Sequence, residues 1–317
     1  MIGYMARRCA QAVIVLLGVT IITFILQSLI ATGPTLAREI IGPHAEAPQI
    51  HAFIVTYGLN RALPLQYAHF LWQLLHGNLG YSYKLNESVD AILMHELPKD
   101  LVLVGTALLL ALLVAVPIGI AQAVRRNTAT DYVATGVAFL LYSMPSYWLS
   151  LLLIAIFAVG ARLLPAEAPQ GATIGQVITD PAALILPVAS LTLVNYALFS
   201  RYMRSAAIEG LVQDYIRTAR AKGVSTLQLV RRHLLRNSLI PVTTMVGLSV
   251  PGILTAGLIT EYVFNFPGIG LSFYNAAVQA DYPVELGVTV LVGVATVAGN
   301  LLADLAYAVL DPRVRYD

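Results

Sequence analysis

The stretch LVLVGTALLLALLVAVPIGIAQAV, residues 101–124, decides the fold. It carries no charged side chain and is longer than the roughly 20 apolar residues a helix needs to cross the hydrocarbon core of a bilayer. Within it Ala107, Ala111, Ala115 and Gly119 recur every four residues. Such a stripe of small side chains lets a second helix approach closely in lipid, where packing drives association. Five similar stretches are found at 10–30, 132–160, 182–199, 239–259 and 284–310. The expected fold is therefore an all-α polytopic membrane protein with six transmembrane helices. The third and sixth stretches are long enough to need tilt or a bend, and Met144-Pro145 and Val250-Pro251-Gly252 are the expected kinks. The sixth repeats the small-residue spacing at Ala295, Gly299 and Ala303.

Composition agrees. Of 317 residues, 58% are hydrophobic and 11% charged, against about 45–50% and 25% in soluble domains. A soluble enzyme, a disordered chain and a disulfide scaffold are excluded, the last because Cys9 is the single cysteine. The first apolar run exceeds the h-region of a secretory signal and no Ala-x-Ala pattern follows it, so it reads as a retained span. Fourteen of the nineteen Lys and Arg fall on the side holding the N-terminus, the 125–131 and 200–238 loops and the C-terminus. By the positive-inside rule both termini are expected in the cytoplasm.

The segments between spans divide the chain into 1–30 (N-terminus and helix 1), an outer segment 31–100, a core of 101–310 and a tail of 311–317. The outer segment begins with turn signals at Thr32-Gly33-Pro34 and Gly42-Pro43. Residues 63–76 then set Leu63, Tyr67, Leu71, Leu74 and Leu75 on one helical face, which predicts a small folded extracytoplasmic cap. Its histidines, His44, His51, His69, His76 and His95, lack chelating spacing, and no metal site is assigned.

The cytoplasmic loop at about 201–238 is the most informative segment. Asp214, Tyr215, Arg217, Thr218, Arg220 and Lys222 lie in a run of good helix formers with an acid at its start. Gly223 is the expected helix stop, and Ser225 the cap of a second helix at 227–236. A basic helix of this kind satisfies the positive-inside bias, touches anionic lipid, or docks a cytoplasmic partner; nucleic acid is a poor partner for a membrane-embedded chain. The small residues Ala219, Ala221 and Gly223 favour docking, because they permit close approach. Polar residues within the spans are few. Tyr142, Ser143, Met144 and Ser146 around Pro145, Thr192, Asn195 and Tyr196, and the pair Asn300 and Asp304 are candidate lining of a translocation pathway; internal hydrogen bonding between helices is the alternative. Phe264, Phe266, Phe273 and Tyr274 with Asp281 form a candidate outer contact surface, or else an interfacial aromatic belt.

No catalytic set is present. The chain lacks G-x-x-x-x-G-K-[ST], H-E-x-x-H and G-x-S-x-G, and it has few of the intramembrane charges an ion-coupled carrier uses. Transport powered from outside the chain fits better than a stand-alone channel or ion-coupled carrier.

Nearly the whole chain resembles the permease subunits of bacterial ABC importers of the dipeptide, oligopeptide and nickel group. The resemblance is strongest at Asp214-Tyr215-Ile216-Arg217-Thr218-Ala219-Arg220-Ala221-Lys222-Gly223 and Arg232-His233-Leu234-Leu235-Arg236-Asn237, which look like the peptide-type EAA loop. Arg217-Thr218-Ala219 replaces the generic Glu-Ala-Ala and Arg236 replaces a Pro, both in the manner of the peptide branch. Glu261-Tyr262-Val263-Phe264-Asn265-Phe266-Pro267-Gly268-Ile269-Gly270 and Leu310-Asp311-Pro312-Arg313 also match, whereas Ala31-Thr32-Gly33-Pro34 lacks the acid usual after the first span.

The resemblance implies a type I ABC importer permease fold in the bacterial inner membrane. Its implied partners are a second, homologous permease, cytoplasmic ATPase subunits docking at the 201–238 loop, an extracytoplasmic solute-binding protein and membrane lipid. ATP and Mg would be held on the ATPases and no cofactor by this chain, and the cargo would be a peptide, or alternatively nickel or another small solute.

Overall fold

A computed structural model of the protein describes residues 2–310 apart from 31, 32, 43 and 172, with side chains described except at 2–6, 8, 9, 30, 39, 244, 248–256 and 302–310. The order of elements is α1 (Ile2–Ile30), α2 (Gly33–Ile41), α3 (Ala47–Thr56), α4 (Leu63–Leu75), β1 (Tyr81–Ser82), β2 (Glu87–Ser88), α5 (Val89–Val124), α6 (Ala129–Ser143) and α7 (Ser146–Leu153). A π-helical stretch Ile154–Gly160 precedes α8 (Ile174–Ile178), α9 (Pro181–Leu211), α10 (Asp214–Ala221) and α11 (Thr226–Leu229). A second π-helical stretch, Val230–Leu234, leads into α12 (Leu235–Phe264), followed by α13 (Ile269–Gln279) and α14 (Tyr282–Leu310). The chain forms two compact units, Met1–Leu97 with Ser272–Val294, and Pro98–Leu271 with Ala295–Asp317.

Among the described residues four helical stretches are long and apolar enough to cross a membrane: Ala10–Leu29, Val89–Val124, Pro181–Leu211 and Tyr282–Leu301. The pair α6 and α7, with the π stretch that follows, makes a fifth crossing if taken together, but it is bent by 106°. The expected kink at Met144-Pro145 is thus a full break. Pro145 takes extended backbone angles as the N-cap of α7, and the residue before a proline is driven out of the helical region. The stretch expected at 239–259 falls in α12, where the side chains around Val250-Pro251-Gly252 lie outside the described set.

Two helices outrun their apolar stretches. α5 begins at Val89, just after the hairpin in which the Val89 N–H donates to the Gly80 carbonyl. At 36 residues it is about 54 Å long, well beyond a bilayer core. α9 runs on to Leu211, so Arg201 and Arg204 extend a membrane helix rather than begin a loop.

In the first unit, α4 presents Tyr67, Leu71 and Leu74 half-buried as expected, but Leu63 and Leu75 are exposed, Leu75 by 81%. The inward face is centred on Tyr67 and Phe70, which pack on Phe24 of α1 with ring centroids 5.4 and 6.2 Å away. The Tyr67 and Thr20 hydroxyls share a 2.9 Å hydrogen bond. Gly33 and Pro34, read as a turn, instead open α2, consistent with proline's preference for the first helical turn.

In the second unit the small-residue stripe works as its spacing predicts. Ala107, Ala111 and Ala115 are buried on α5. A Cβ added to Gly119 would lie 2.8 Å from the Met203 Cβ and 2.9 Å from the Ser200 carbonyl oxygen of α9. Phe199 and Tyr196 pack against Ala111 and Ala115.

A polar network that the sequence does not announce joins the ends of α5, α6 and α9. Arg204 grips Asp131 through two hydrogen bonds of 2.8 Å, from Nε to Oδ1 and Nη2 to Oδ2. The Asn127 N–H donates to Asp131 at 3.1 Å, and Thr135 donates to it at 3.4 Å while accepting from Gln122 at 3.1 Å. Asp131 is 1% exposed, so its charge depends on these partners.

Two substitutions test this packing. Gly119→Leu is expected to destabilise the detergent-solubilised protein by about 1–3 kcal/mol through overpacking against backbone, with Gly119→Ala intermediate; thermal unfolding reads both. Asp131→Ala strands the Arg204 charge and is expected to cost about 3–5 kcal/mol. The lower end applies, because the Arg204 side chain is 28% exposed.

Candidate functional site

The best-defined outward-facing site is the hairpin between α9 and α12. It starts at a close contact. A Cβ on Gly210 would come within 2.7 Å of Leu234 Cδ1, so the end of α9 lies close against the side chains of the returning segment. Helix α10 is amphipathic over eight residues. Ile216 and Ala219 are buried, while Asp214, Tyr215, Arg217, Thr218, Arg220 and Lys222 are exposed. The buried pair joins Ile120 and Ala123 of α5, Met203 and Ala207 of α9, Leu229, Leu234 and Val242 in one apolar cluster. The hairpin is therefore seated on the ends of two long helices and the root of a third.

Its turn has the geometry of a Schellman motif. Gly223 has φ +76°, its N–H donates to the Arg220 carbonyl at 2.9 Å, and the Val224 N–H donates to the Ala219 carbonyl at 3.2 Å. Nothing lies within 4 Å of a Cβ added to Gly223, so its requirement is conformational and the space beyond it is open. Ser225 occupies the N-cap position of α11 without a side-chain capping bond. The second helix begins at Thr226, one residue before the expected start, and continues through the π-helical turn into α12. Arg217 and Asp214 approach to 3.6 Å, but both are largely exposed, so the pair adds little. A cavity of about 160 Å³ lies beside the hairpin, lined by Val124, Leu211, Val224, Leu229 and the Arg220 side chain among others. The exposed face offers three cations, a phenol and a hydroxyl on a rigid mount, which suits docking of a protein surface.

One residue read as part of that face belongs elsewhere. Ala219 permits close approach within the chain, because the apolar mount covers it. Ile216, which anchors the helix, was missed; its position three residues before Ala219 was the available signal.

The other candidates scatter. Tyr142 and Ser143 are exposed at the break, with the Arg201 guanidinium 4.8 Å from the Tyr142 ring centroid. Ser146 is half-buried, and Met144 packs on the core of α5, α7 and α9. Asn195 and Tyr196 do not line an open path. Both are buried in the α9 packing, and Asn195 donates to the Leu191 carbonyl at 2.8 Å. Thr192 turns to α5 and donates to the Ala107 carbonyl at 3.3 Å. Asn300 is half-buried, and the Asp304 side chain lies outside the described residues.

Phe264 and Phe266 are not a contact surface, since both are 0% exposed in the core with Leu103, Leu149 and Leu186. They are sealed there by the 168–170 segment, where the Ala168 N–H donates to the Phe264 carbonyl at 2.8 Å. Two buried carboxylates hold the following turn. Asp100 accepts the Ile269 N–H at 3.1 Å, and Glu261 accepts the Leu271 N–H at 3.0 Å. Both sit at the N-terminus of α13, where a helix dipole favours negative charge. A Cβ on Gly268 or Gly270 would collide with this arrangement. Asp281 is also turned inward, as the acceptor of the Ser82 hydroxyl. Phe273 and Tyr274 remain half-exposed.

Comparison with known proteins gives this geometry a family. The chain is 35% identical over 319 residues to the oligopeptide transport system permease protein AppB of Bacillus subtilis, covering 100% of both chains. It is 34% identical over 318 residues to the oligopeptide transport system permease protein OppB of Salmonella typhimurium, again covering 100% of both. To the dipeptide transport system permease protein DppB of Escherichia coli K12 it is 32% identical over 339 residues, covering 100% of this chain and 99% of the relative. Residues 1–104 match the N-terminal component of membrane proteins of binding-protein-dependent transport systems. Residues 115–316, which include the α10 hairpin, match the main component, and the chain therefore belongs to the family of binding-protein-dependent transport system inner membrane components.

Proposed function

We propose that this chain is one membrane-spanning permease subunit of an ATP-driven ABC importer of di- and oligopeptides. The observation that carries the proposal is the α10 hairpin. It is a short basic helix, closed by a Gly223 turn and fixed by Ile216 and Ala219 to the ends of α5, α9 and α12. The peptide substrate rests on the relatives, which are oligopeptide and dipeptide transport system permease proteins. Nickel or another small solute is the alternative cargo of the same machinery. A stand-alone channel or ion-coupled carrier is the rival of a different class, and it would need neither ATP nor partners.

In this reading six helices span the bacterial inner membrane with both termini in the cytoplasm, as the Lys and Arg distribution supports. The segment at 31–100 forms a cap on the opposite side, the span-bearing core covers 101–310, and 311–317 is a cytoplasmic tail. A second, homologous permease completes the pathway, and a solute-binding protein delivers peptide from outside, with Phe273 and Tyr274 near its contact. ATP and Mg sit on the ATPase subunits.

The docking residues are Asp214, Tyr215, Arg217, Thr218, Arg220, Lys222, Gly223 and Ser225. When the ATPases close, the hairpin moves with them. Because its apolar side is packed on three helices, the displacement passes to those helices as a rigid-body shift between two arrangements. Tyr142, Ser143 and Ser146, around the break at Met144-Pro145, are the candidate lining of a weakly polar pathway, with Asn300 and Asp304 as further candidates.

Pull-down of the chain in mild detergent is expected to bring a second permease, a P-loop ATPase and a binding protein. Peptide with its binding protein should then stimulate ATP hydrolysis. Purification of the chain alone, with transport in the absence of ATP, would overturn the reading.

A sharper test uses Gly223. Asparagine tolerates the left-handed conformation, so Gly223→Asn is expected to keep peptide-stimulated hydrolysis within about threefold of wild type, the left-handed cost being at most ~1–2 kcal/mol. Gly223→Trp projects bulk into the open space and is expected to lower that hydrolysis at least tenfold while the spans still assemble. Wild-type uptake by Gly223→Trp would remove the hairpin from the coupling path.

A further inference from the structure

The first unit holds a partly open cavity of about 590 Å³, between the C-terminal end of α1, helices α2 to α4, the β1–β2 hairpin and the start of α14. That volume is within the range of ligand pockets, about 300–1,000 Å³. Its walls say what it can hold. Phe24, Phe53, Tyr57, Phe70, Tyr81 and Tyr83 supply much of the lining, and no Asp, Glu, Lys, Arg or His side chain contributes among the described residues.

The polar atoms on the wall are mostly committed. Gln27 Nε2 donates to the Tyr282 carbonyl and Glu285, and Gln66 Nε2 to the Leu59 and Arg61 carbonyls. Ser28 donates to the Ile25 carbonyl, the Tyr81 hydroxyl to Asn86, and Ser88 to Asp90. Burial pushes the Tyr83 hydroxyl pKa upward, aided by its hydrogen bond with Tyr57, so it stays neutral. Among the described residues a zwitterionic peptide would find neither a counter-charge in the lining nor a ready set of donors, and burying its termini unpaired is costly. An apolar chain carries no such cost, because it has no polar group to leave unpaired.

The position of the cavity identifies the source of that chain. Phe24, Gln27 and Ser28 line it from α1, one of the membrane-crossing helices. Their neighbours Ile22, Ile25, Leu26 and Leu29 are exposed apolar side chains on the same helix. The lipid-facing surface of α1 is thus continuous along the helix with the cavity wall. We propose that this cavity is a lipid site that takes the acyl tail of a phospholipid from the adjoining leaflet. The tail fills the space between α1 and the helices of the 31–100 segment and ties that segment to the membrane surface.

The test is photolabelling of the full chain, with its co-purifying partners, in vesicles of phosphatidylethanolamine and phosphatidylglycerol. A trace of phosphatidylethanolamine carries a diazirine at the end or the middle of one tail, and adducts are mapped by peptide mass spectrometry. Adducts are expected at 36–40, 53–59 and 79–83, in addition to those on the lipid face of α1 at Ile14 and Ile22. Filling the cavity by Leu36→Trp, and independently by Leu79→Trp, is expected to lower cap labelling at least tenfold while Ile14 and Ile22 stay labelled. That retained labelling shows that the variant has inserted.

Absence of cap adducts from every tail position in the wild-type chain would overturn the proposal, and this arm needs no variant to fold. Cap labelling unchanged in both inserted variants would overturn it, as would equal labelling by a probe in the head group. Loss of wild-type cap labelling on adding binding protein without peptide would assign the cavity to a protein side chain instead. The labelling uses no ATP or peptide, so its outcome is independent of the transport reading.

Discussion

The close approach of α5 and α9 is the contact on which the second unit depends. In lipid, apolar surface alone does not bring two helices together, because the tails are as apolar as leucine. Ala107, Ala111, Ala115 and Gly119 supply the other means. They remove side-chain volume along one line, so that Phe199 and Met203 can enter and the backbones nearly touch at Gly119. That line delivers the ends of α5 and α9 to the same place, where Ile120, Ala123, Met203 and Ala207 become the floor for Ile216 and Ala219. The α10 hairpin is therefore an extension of the helix pair, and its stiffness is borrowed from the contact beneath it.

Buried acidic side chains serve the same end at two places in that unit. Near the hairpin, Asp131 and Arg204 tie the α6 entrance to α9 through a two-point grip. At the other site, Asp100 and Glu261 accept backbone N–H groups at the start of α13. Both arrangements pair an expensive group with fixed donors, which removes the alternative positions the elements could otherwise take. Each fixes where a helix begins.

What was legible from the amino-acid order follows from range. Helical stretches, the α5 stripe and the stop at Gly223 depend on neighbours within about two turns, and periodicity reports those directly. The end of α9 was misread because Arg201 and Arg204 look like a loop when counted as charges, yet Arg204 satisfies a buried aspartate 73 residues away. Phe264 and Phe266 were misread for a related reason. In a chain this apolar, an aromatic residue in a connection looks the same whether it faces lipid, a partner or its own core, and only the 168–170 segment closing over it decides. The 106° break was visible as a proline, but its angle depends on how α7 packs on α9 and α12.

The π-helical turn Val230–Leu234 at the root of α12 has a bearing on how such chains diverge. A π turn is in effect one residue inserted into an α-helix, and one residue corresponds to about 100° of rotation. The hairpin side of the turn is committed, since Leu229 and Leu234 are both buried in the mount. On the far side, Ser238 and Val242 must face the same cluster for α12 to pack. The extra residue reconciles these two phases. Deleting it would leave every hydrophobic residue present and turn the wrong side of a thirty-residue helix toward its neighbours, so chain length in this short stretch is constrained more tightly than residue identity.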